Sequence, residues 1–375
     1  MQFHFTNFPK RFYFKTILLS SIISTTLVHA QEHQRAHVGF TYPLSSNGIQ
    51  APHMSNSFSL HALIGVSGGE NGAAISGLAT IVNGTQKGVL ISGLTNITTD
   101  TAKGAAIAGL TNINNDLNGA QIAGLVNVAD SLKGCQIAGL SNISNTATTQ
   151  IAGLWNISKS SKLQVAGLSN VGKNDLAIQV SGLINIVKHS KYQIGGLINI
   201  AKKVEGVQIA GLINIAEESK YPIGFINIIK NGEKQLGIGI DEIGNTTLSF
   251  RSGGKVTYGI IGIGHNFNFS GAPHVLELGL GAHLPLNHRF RINFELNNTA
   301  NTNFWTVSYY KSALRTLVGL QLGKTIELTA GPSFNYVNYM SGLKPYSSNE
   351  VFKFYGTQST NTLFVGGYIG LNFRL

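Results

Sequence analysis

A short segment, Ile-Ala-Gly-Leu-x-Asn-Ile, recurs between residues 70 and 230, and its spacing restricts the fold more than any other feature of the chain. Its central glycines are Gly77, Gly93, Gly109, Gly124, Gly139, Gly153, Gly167, Gly182, Gly196 and Gly211, separated by 16, 16, 15, 15, 14, 14, 15, 14 and 15 residues. A degenerate last copy, Pro222-Ile223-Gly224-Phe225-Ile226-Asn227, follows. Each central Gly is preceded by a small residue and followed by Leu until Phe225 ends the series. Ile or Val stands two positions before it. Three positions after it stands Asn: Asn96, Asn112, Asn127, Asn142, Asn156, Asn170, Asn185, Asn199 and Asn214. From Gln121 to Gln208, Gln stands three positions before it.

Each unit reads as one strand of about seven residues followed by a polar turn. One unit per coil gives a perimeter of only about 50 Å at about 3.3 Å per residue. The period therefore predicts a thin parallel β-solenoid of about 11 coils over residues 68–235. Identical residues then stack at about 4.8 Å, and stacked Asn amides can bond along the axis. In the rival arrangement the units run antiparallel, and a recurring Asn has no such use. The units carry apolar residues on both faces, which suggests strands buried on both sides or facing a narrow core. On that reading Leu140 is interior, and the variable Ser141 tolerates change. The glycosylation sequons at Asn96, Asn142 and Asn156 are by-products of the repeat.

The N-terminus has the form of a signal peptide. Lys10, Arg11 and Lys15 precede an apolar stretch from Thr16 to Val28. Val28-His29-Ala30 offers a cleavage site that leaves Gln31 first. Beyond it no run of about 18 apolar residues could form a membrane helix. The net charge of +11 becomes +8 without those three cations. The remaining lysines fall mostly between repeats, as at Lys87, Lys103, Lys133, Lys188 and Lys203. They read as solvated turns, or as a weak attraction to acidic partners such as lipid head groups. An exported chain without interleaved aromatic platforms is not expected to bind nucleic acid. Cys135 is the single cysteine, so no intrachain disulfide forms; it occupies a repeat position otherwise held by small or apolar residues.

From residue 255 the hydrophobic period is two. Phe290, Ile292, Phe294 and Leu296 alternate with Arg289, Arg291, Asn293 and Glu295. Leu276, Leu278, Leu280, Ala282 and Leu284 alternate with Glu277, Gly279, Gly281 and His283. Strands of about ten residues with one apolar and one charged face match transmembrane barrel strands. Tyr258, Phe267, Phe269, Trp305, Tyr309, Tyr310, Tyr336 and Tyr339 could form girdles. Six such strands lie within 255–375. Two N-terminal segments, Val38 to Leu44 and Phe58 to Val66, alternate similarly. Together they predict an eight-stranded antiparallel outer-membrane-type barrel with the repeats inserted between its second and third strands. The chain then divides into a signal peptide (1–30), an N-terminal strand pair closing the barrel (31–67), the repeats (68–235) and the C-terminal barrel strands (236–375).

Tandem Gly-Leu-x-Asn units after an N-terminal hairpin, then Tyr221-Pro222-Ile223-Gly224-Phe225-Ile226 and Lys230-Asn231-Gly232, then a terminal β-barrel, resemble bacterial surface-repeat proteins of the Bacteroidetes envelope. The terminal Phe373-Arg374-Leu375 is similar to the last strand of outer-membrane barrels, although those usually end on an aromatic residue. The resemblance implies an outer-membrane location and no particular chemistry.

No nucleophile elbow, phosphate loop or paired-His metal spacing is present, so neither an enzyme nor a cofactor is expected. Glu277, Arg289, Arg291, Glu295, Arg315, Glu327 and Arg374 are expected to form an ion network inside the lumen, where buried charges must pair. The expected partners are outer-membrane lipid and an unidentified envelope or extracellular molecule. Three functions compete: a barrel-anchored repeat scaffold, a small pore or transporter, and a surface-binding solenoid. The last is disfavoured because no Thr-x-Thr array occurs. Counting strands back from Leu375 puts both ends of the repeats on the periplasmic side.

Overall fold

Stacking near-identical segments in register is the cheapest way to satisfy their backbones, because every coil templates the next. In the computed structural model, which describes residues 33–269, 271–340, 350–355 and 359–375, this is how the repeats fold. They form a parallel solenoid of about 12 turns. Equivalent residues pair directly, as in Asn127↔Asn142, Gln136↔Gln150 and Ile137↔Ile151. A Cβ at Gly124 would lie 2.1 Å from the carbonyl oxygen of Gly109. The column of central glycines is thus required by close backbone approach. A second column, Gly88, Gly104, Gly119 and Gly134, has φ between +123° and +152°, a region that favours glycine.

The interior is polar and the outside apolar at the repeat edge. Gln, Ala and Asn of each unit point inward; its Ile and Leu point outward. Asn156 is fully buried, whereas Leu140 is 38 % exposed and Ser141 only 4 %. Leu140 therefore projects outward, against expectation, while Ser141 stays on the outward-alternating face and is covered there by its register neighbours Val126 and Trp155. Near the Gly-Leu bend two strand layers leave room only for small residues and flat amides, so the branched side chains there go outside. Leu117, Leu132, Ala102, Ala129 and Ala147 form an apolar cluster in one half of the solenoid. Cys135 lies half-buried beside Ala120 and Thr149 of the adjoining coils.

The N-terminal strands do not close the barrel. His33–Thr41 pairs in parallel with Ser55–His61, which pairs in parallel with Gly69–Ser76. They are the first turns of the solenoid, with Ala62 beneath Gly77 in the glycine column. The barrel is closed instead by Lys234–Asp241 and Asn245–Gly253. Lys234–Asp241 pairs antiparallel with the last strand, Ser359–Arg374, through Gln235↔Arg374 and Ile240↔Ile369. The other strands are Thr257–Asn266, His274–Pro285, Phe290–Thr302, Val307–Leu322 and Ile326–Met340, giving a closed antiparallel barrel of 8 strands. Glu350–Tyr355 adds a short strand against the far half of Ser359–Arg374. The signal peptide, 1–30, lies outside the described residues.

The first solenoid turns hold a buried polar cluster. His37 and His61 meet with ring centroids 4.4 Å apart. Asn56 and Ser59 donate to Glu70 Oε1 at 3.2 and 2.7 Å. Burial, then the neighbouring His61, lowers the His37 pKa from 6.5 to about 4. Burial lowers that of His61 as well. The folded turns thus favour neutral histidines, and this stability is lost as pH falls through about 6.5 towards 4. Burial raises the Glu70 pKa, which acts in the opposite sense. In a Glu70→Gln background, protease cleavage within residues 33–67 should rise between pH 7 and pH 5. Adding His37→Gln and His61→Gln should abolish the pH dependence.

Candidate functional site: barrel wall, filled lumen and apolar edge

The barrel alternates as a membrane strand must. Outward residues Ile238, Ile240, Leu248, Ile263, Leu276, Leu278, Phe294, Leu296, Leu314, Val318 and Ile369 are each 44 to 64 % exposed. Their inward neighbours are polar and buried, among them Ser249, Glu277, Asn293, Glu295, Thr329 and Asn335. An apolar exterior around a polar interior fits a hydrocarbon surrounding. No helix among the described residues is long and apolar enough to cross a membrane, which does not bear on crossing by strands. Of the expected girdle, Phe267, Trp305, Tyr310 and Tyr336 are exposed. Tyr258, Tyr309 and Tyr339 instead point inward and are buried.

Side chains fill the lumen. Arg315 Nη1 reaches Glu277 at 3.1 Å and Glu295 at 3.7 Å, and its guanidinium lies 4.1 Å above the Tyr368 ring. Arg251 Nε donates to Glu295 at 3.1 Å, and the Tyr258 hydroxyl donates to the same oxygen at 3.0 Å. Nearer the rim Arg291 joins Glu327 and Glu233, and Arg374 reaches Glu233 at 3.1 Å. At the other end Lys311 bridges Asp241 and Glu242. Beyond it Tyr309, Val337, Tyr339 and Phe364 form an apolar cluster.

The expected network therefore forms from Glu277, Arg291, Glu295, Arg315, Glu327 and, half-buried, Arg374. Arg289 does not join it. It lies exposed in the turn after Pro285, where the strand alternation has stopped. Sequence reasoning missed Arg251, Glu233, Asp241, Glu242 and Lys311. The first four lie on or beside the two closing strands, which were not read as barrel strands.

The nine expected asparagines form one column. Each Nδ2 donates to Oδ1 of the next, as in Asn142 to Asn156 at 2.9 Å and Asn156 to Asn170 at 2.9 Å. Each also donates to a carbonyl of the next coil, as Asn156 does to Val165 at 2.7 Å. The column extends to Asn227. The glutamines form a second column donating the other way: Gln150 to Gln136 at 2.9 Å and Gln164 to Gln150 at 2.8 Å. The two rows of amide dipoles oppose each other across the core.

The solenoid ends on the outside of the barrel. Asn227 donates from its backbone to Ser252 Oγ at 3.0 Å and from Nδ2 to the Ser252 carbonyl at 3.1 Å. Ser252 and its partner Gly259 face outward, by alternation with Arg251 and Tyr258. A Cβ at Gly259 would lie 2.2 Å from the Phe225 carbonyl oxygen, so glycine allows the last turn to seat on the wall. The Asn column thus meets the barrel flank, not the lumen.

Among the described residues no group of three or more His, Cys, Asp or Glu could hold a metal ion. No family model matches the chain, and no curated protein matches it. Among solved structures, the chain matches one described as "De novo design of transmembrane beta-barrels", at 10 % identity and a TM-score of 0.23, over 38 % of this chain and 93 % of that one.

Proposed function

We propose that this chain is a non-enzymatic outer-membrane protein of the bacterial envelope, in which the barrel anchors the solenoid as a scaffold for an interaction or structural role. The observation that carries the reading is the closed barrel with an apolar outside and a lumen crossed by paired charges. The chain reaches the envelope through residues 1–30 acting as a signal peptide. Acting as a pore is disfavoured, because the ion pairs and the Tyr309–Phe364 cluster obstruct the lumen. Reconstituted in a planar bilayer, the protein should show no steady conductance; stable channels at neutral pH would establish the pore instead.

The solenoid lies on the periplasmic side. The connections at its end of the barrel are short: residues 254–256, 286–289 and 323–325. Those at the other end are 242–244, 267–273, 303–306 and the stretch between Met340 and Ser359 that holds the strand Glu350–Tyr355, so both of the longest lie there. Bacterial barrels keep short turns in the periplasm. The even number of strands brings Leu375 and Lys234 together, with Leu375 N donating to the Lys234 carbonyl at 2.9 Å. In a Cys135→Ala background, Lys188→Cys should resist a membrane-impermeant thiol reagent on intact cells while Gly271→Cys reacts. Labelling at 188 without permeabilisation would reverse the orientation.

A further inference from the structure

The solenoid carries an uncovered apolar edge. Leu78, Leu94, Leu110, Leu125, Leu140, Leu168, Leu183, Leu197 and Leu212 project from the Gly-Leu bend, each 38 to 49 % exposed. A row of Ile flanks this ridge on one side, including Ile107, Ile122 and Ile137 at 37 to 42 %. Ile113, Ile143 and the exposed Trp155 flank it on the other. From Leu78 to Leu212, nine steps of about 4.8 Å make the ridge about 43 Å long. Monomeric soluble proteins rarely expose a continuous apolar strip of that size. The opposite bend is polar, with Lys87, Lys103, Asn118 and Lys133 exposed. In cross-section each coil is therefore a wedge, apolar at one tip and hydrated at the other.

The junction with the barrel sets which way the wedge points. In the last turn the polar end lies at the barrel rim, with a Cβ at Gly232 only 1.9 Å from the Gly253 carbonyl oxygen. The apolar tip, Gly224-Phe225, lies against Gly259, farther from the rim. Next along the wall stand Phe250 and Ile261, then Leu248 and Ile263, where the exposed apolar belt begins. The ridge thus faces the level of the belt while the lysine-bearing bend faces away from it. The stacking axis leaves from the barrel flank, so the solenoid extends sideways.

We propose that the solenoid lies flat against the membrane, with its Leu and Ile ridge buried in the same lipid leaflet that surrounds the adjoining end of the barrel. This rests on the barrel spanning a bilayer. The occupant is lipid because the ridge is continuous with the lipid-facing belt. A narrow convex tip also inserts between head groups more readily than it mates with a second copy. The arrangement is the solenoid counterpart of an interfacial amphipathic helix.

The test uses the mature protein in phosphatidylethanolamine–phosphatidylglycerol vesicles, in a Cys135→Ala background. Single cysteines at Leu110, Leu183, Asn118 and Leu278 carry an environment-sensitive fluorophore, and lipids brominated on their acyl chains serve as quenchers. Leu110→Cys and Leu183→Cys should emit as in an apolar medium and lose at least half their emission to brominated lipid. Asn118→Cys should emit as in water and keep its emission. Leu278→Cys, on the barrel belt, should be quenched. If Leu278→Cys is quenched but the two ridge sites are not, the inference fails and the barrel reading stands. If Leu278→Cys is not quenched, both fail. Blue-shifted ridge sites that ignore brominated lipid, and turn water-like when protein is diluted into excess lipid, would show a second copy on the ridge and overturn the inference.

Discussion

Replacing Asn156 by Ala should open the middle of the solenoid, at a cost of about 3–5 kcal/mol. The side chain is fully buried and makes four hydrogen bonds: it accepts from Asn142 and donates to Asn170, to the Val165 carbonyl and, at 3.4 Å, to the Gln150 carbonyl. Removing it leaves several buried groups without partners, and each costs about 1–3 kcal/mol. Because coils stabilise one another chiefly through nearest neighbours, the damage should concentrate within a coil or two. Hydrogen exchange should accelerate over residues 141–185 and change little near the barrel. By contrast Leu140→Ser, at a partly exposed site, should cost about 1 kcal/mol or less in detergent. Equal effects at the two sites would contradict the inverted facing of the coil.

Arg315→Met should have a comparable effect on the barrel. Arg315 is buried, holds Glu277 and Glu295, and covers Tyr368. Its loss leaves two carboxylates short of a counter-charge, and breaking a buried pair typically costs about 3–5 kcal/mol. Urea unfolding in detergent should shift accordingly. Arg289→Met, at an exposed turn, should stay within about 0.5 kcal/mol of wild type. A double change, Arg315→Met with Glu277→Gln, should recover part of the loss, because it removes one stranded charge together with its partner.

The repeat made the solenoid legible: an Asn recurring every 14–16 residues has a use only where copies stack in register. Period two made the later barrel strands legible in the same direct way. The facing of the coils was not legible, because the rule that apolar residues go inside assumes a core thick enough to take them. Here Gln and Asn satisfy one another in columns, which a single unit read alone cannot reveal. The glutamine spacing was visible; its hydrogen-bonded role was not.

The closing strands were missed for a different reason. Leu236, Ile238 and Ile240 alternate cleanly, but Gly237 and Gly239 stand between them, so the inward face is polar only at its ends, Gln235 and Asp241. Those glycines leave room for large lumenal side chains: a Cβ at Gly239 would lie 1.9 Å from the Tyr368 hydroxyl. The segment at Val38 to Leu44 alternates as well, yet its neighbours are solenoid coils. Alternation alone does not distinguish a barrel strand from a solenoid end. The eight-strand total was right while two of its members were wrong, and because both counts are even the inferred side of the membrane is the same.

The most direct test of the central claim, a membrane-spanning barrel bearing a lateral solenoid, is fractionation of the native envelope followed by electrophoresis with and without boiling. The protein should stay in the outer-membrane pellet through a carbonate wash, and the unboiled sample should migrate faster than the boiled one, because a closed barrel resists detergent until heated. Recovery of the whole protein in the soluble periplasmic fraction, with the same mobility before and after boiling, would contradict it.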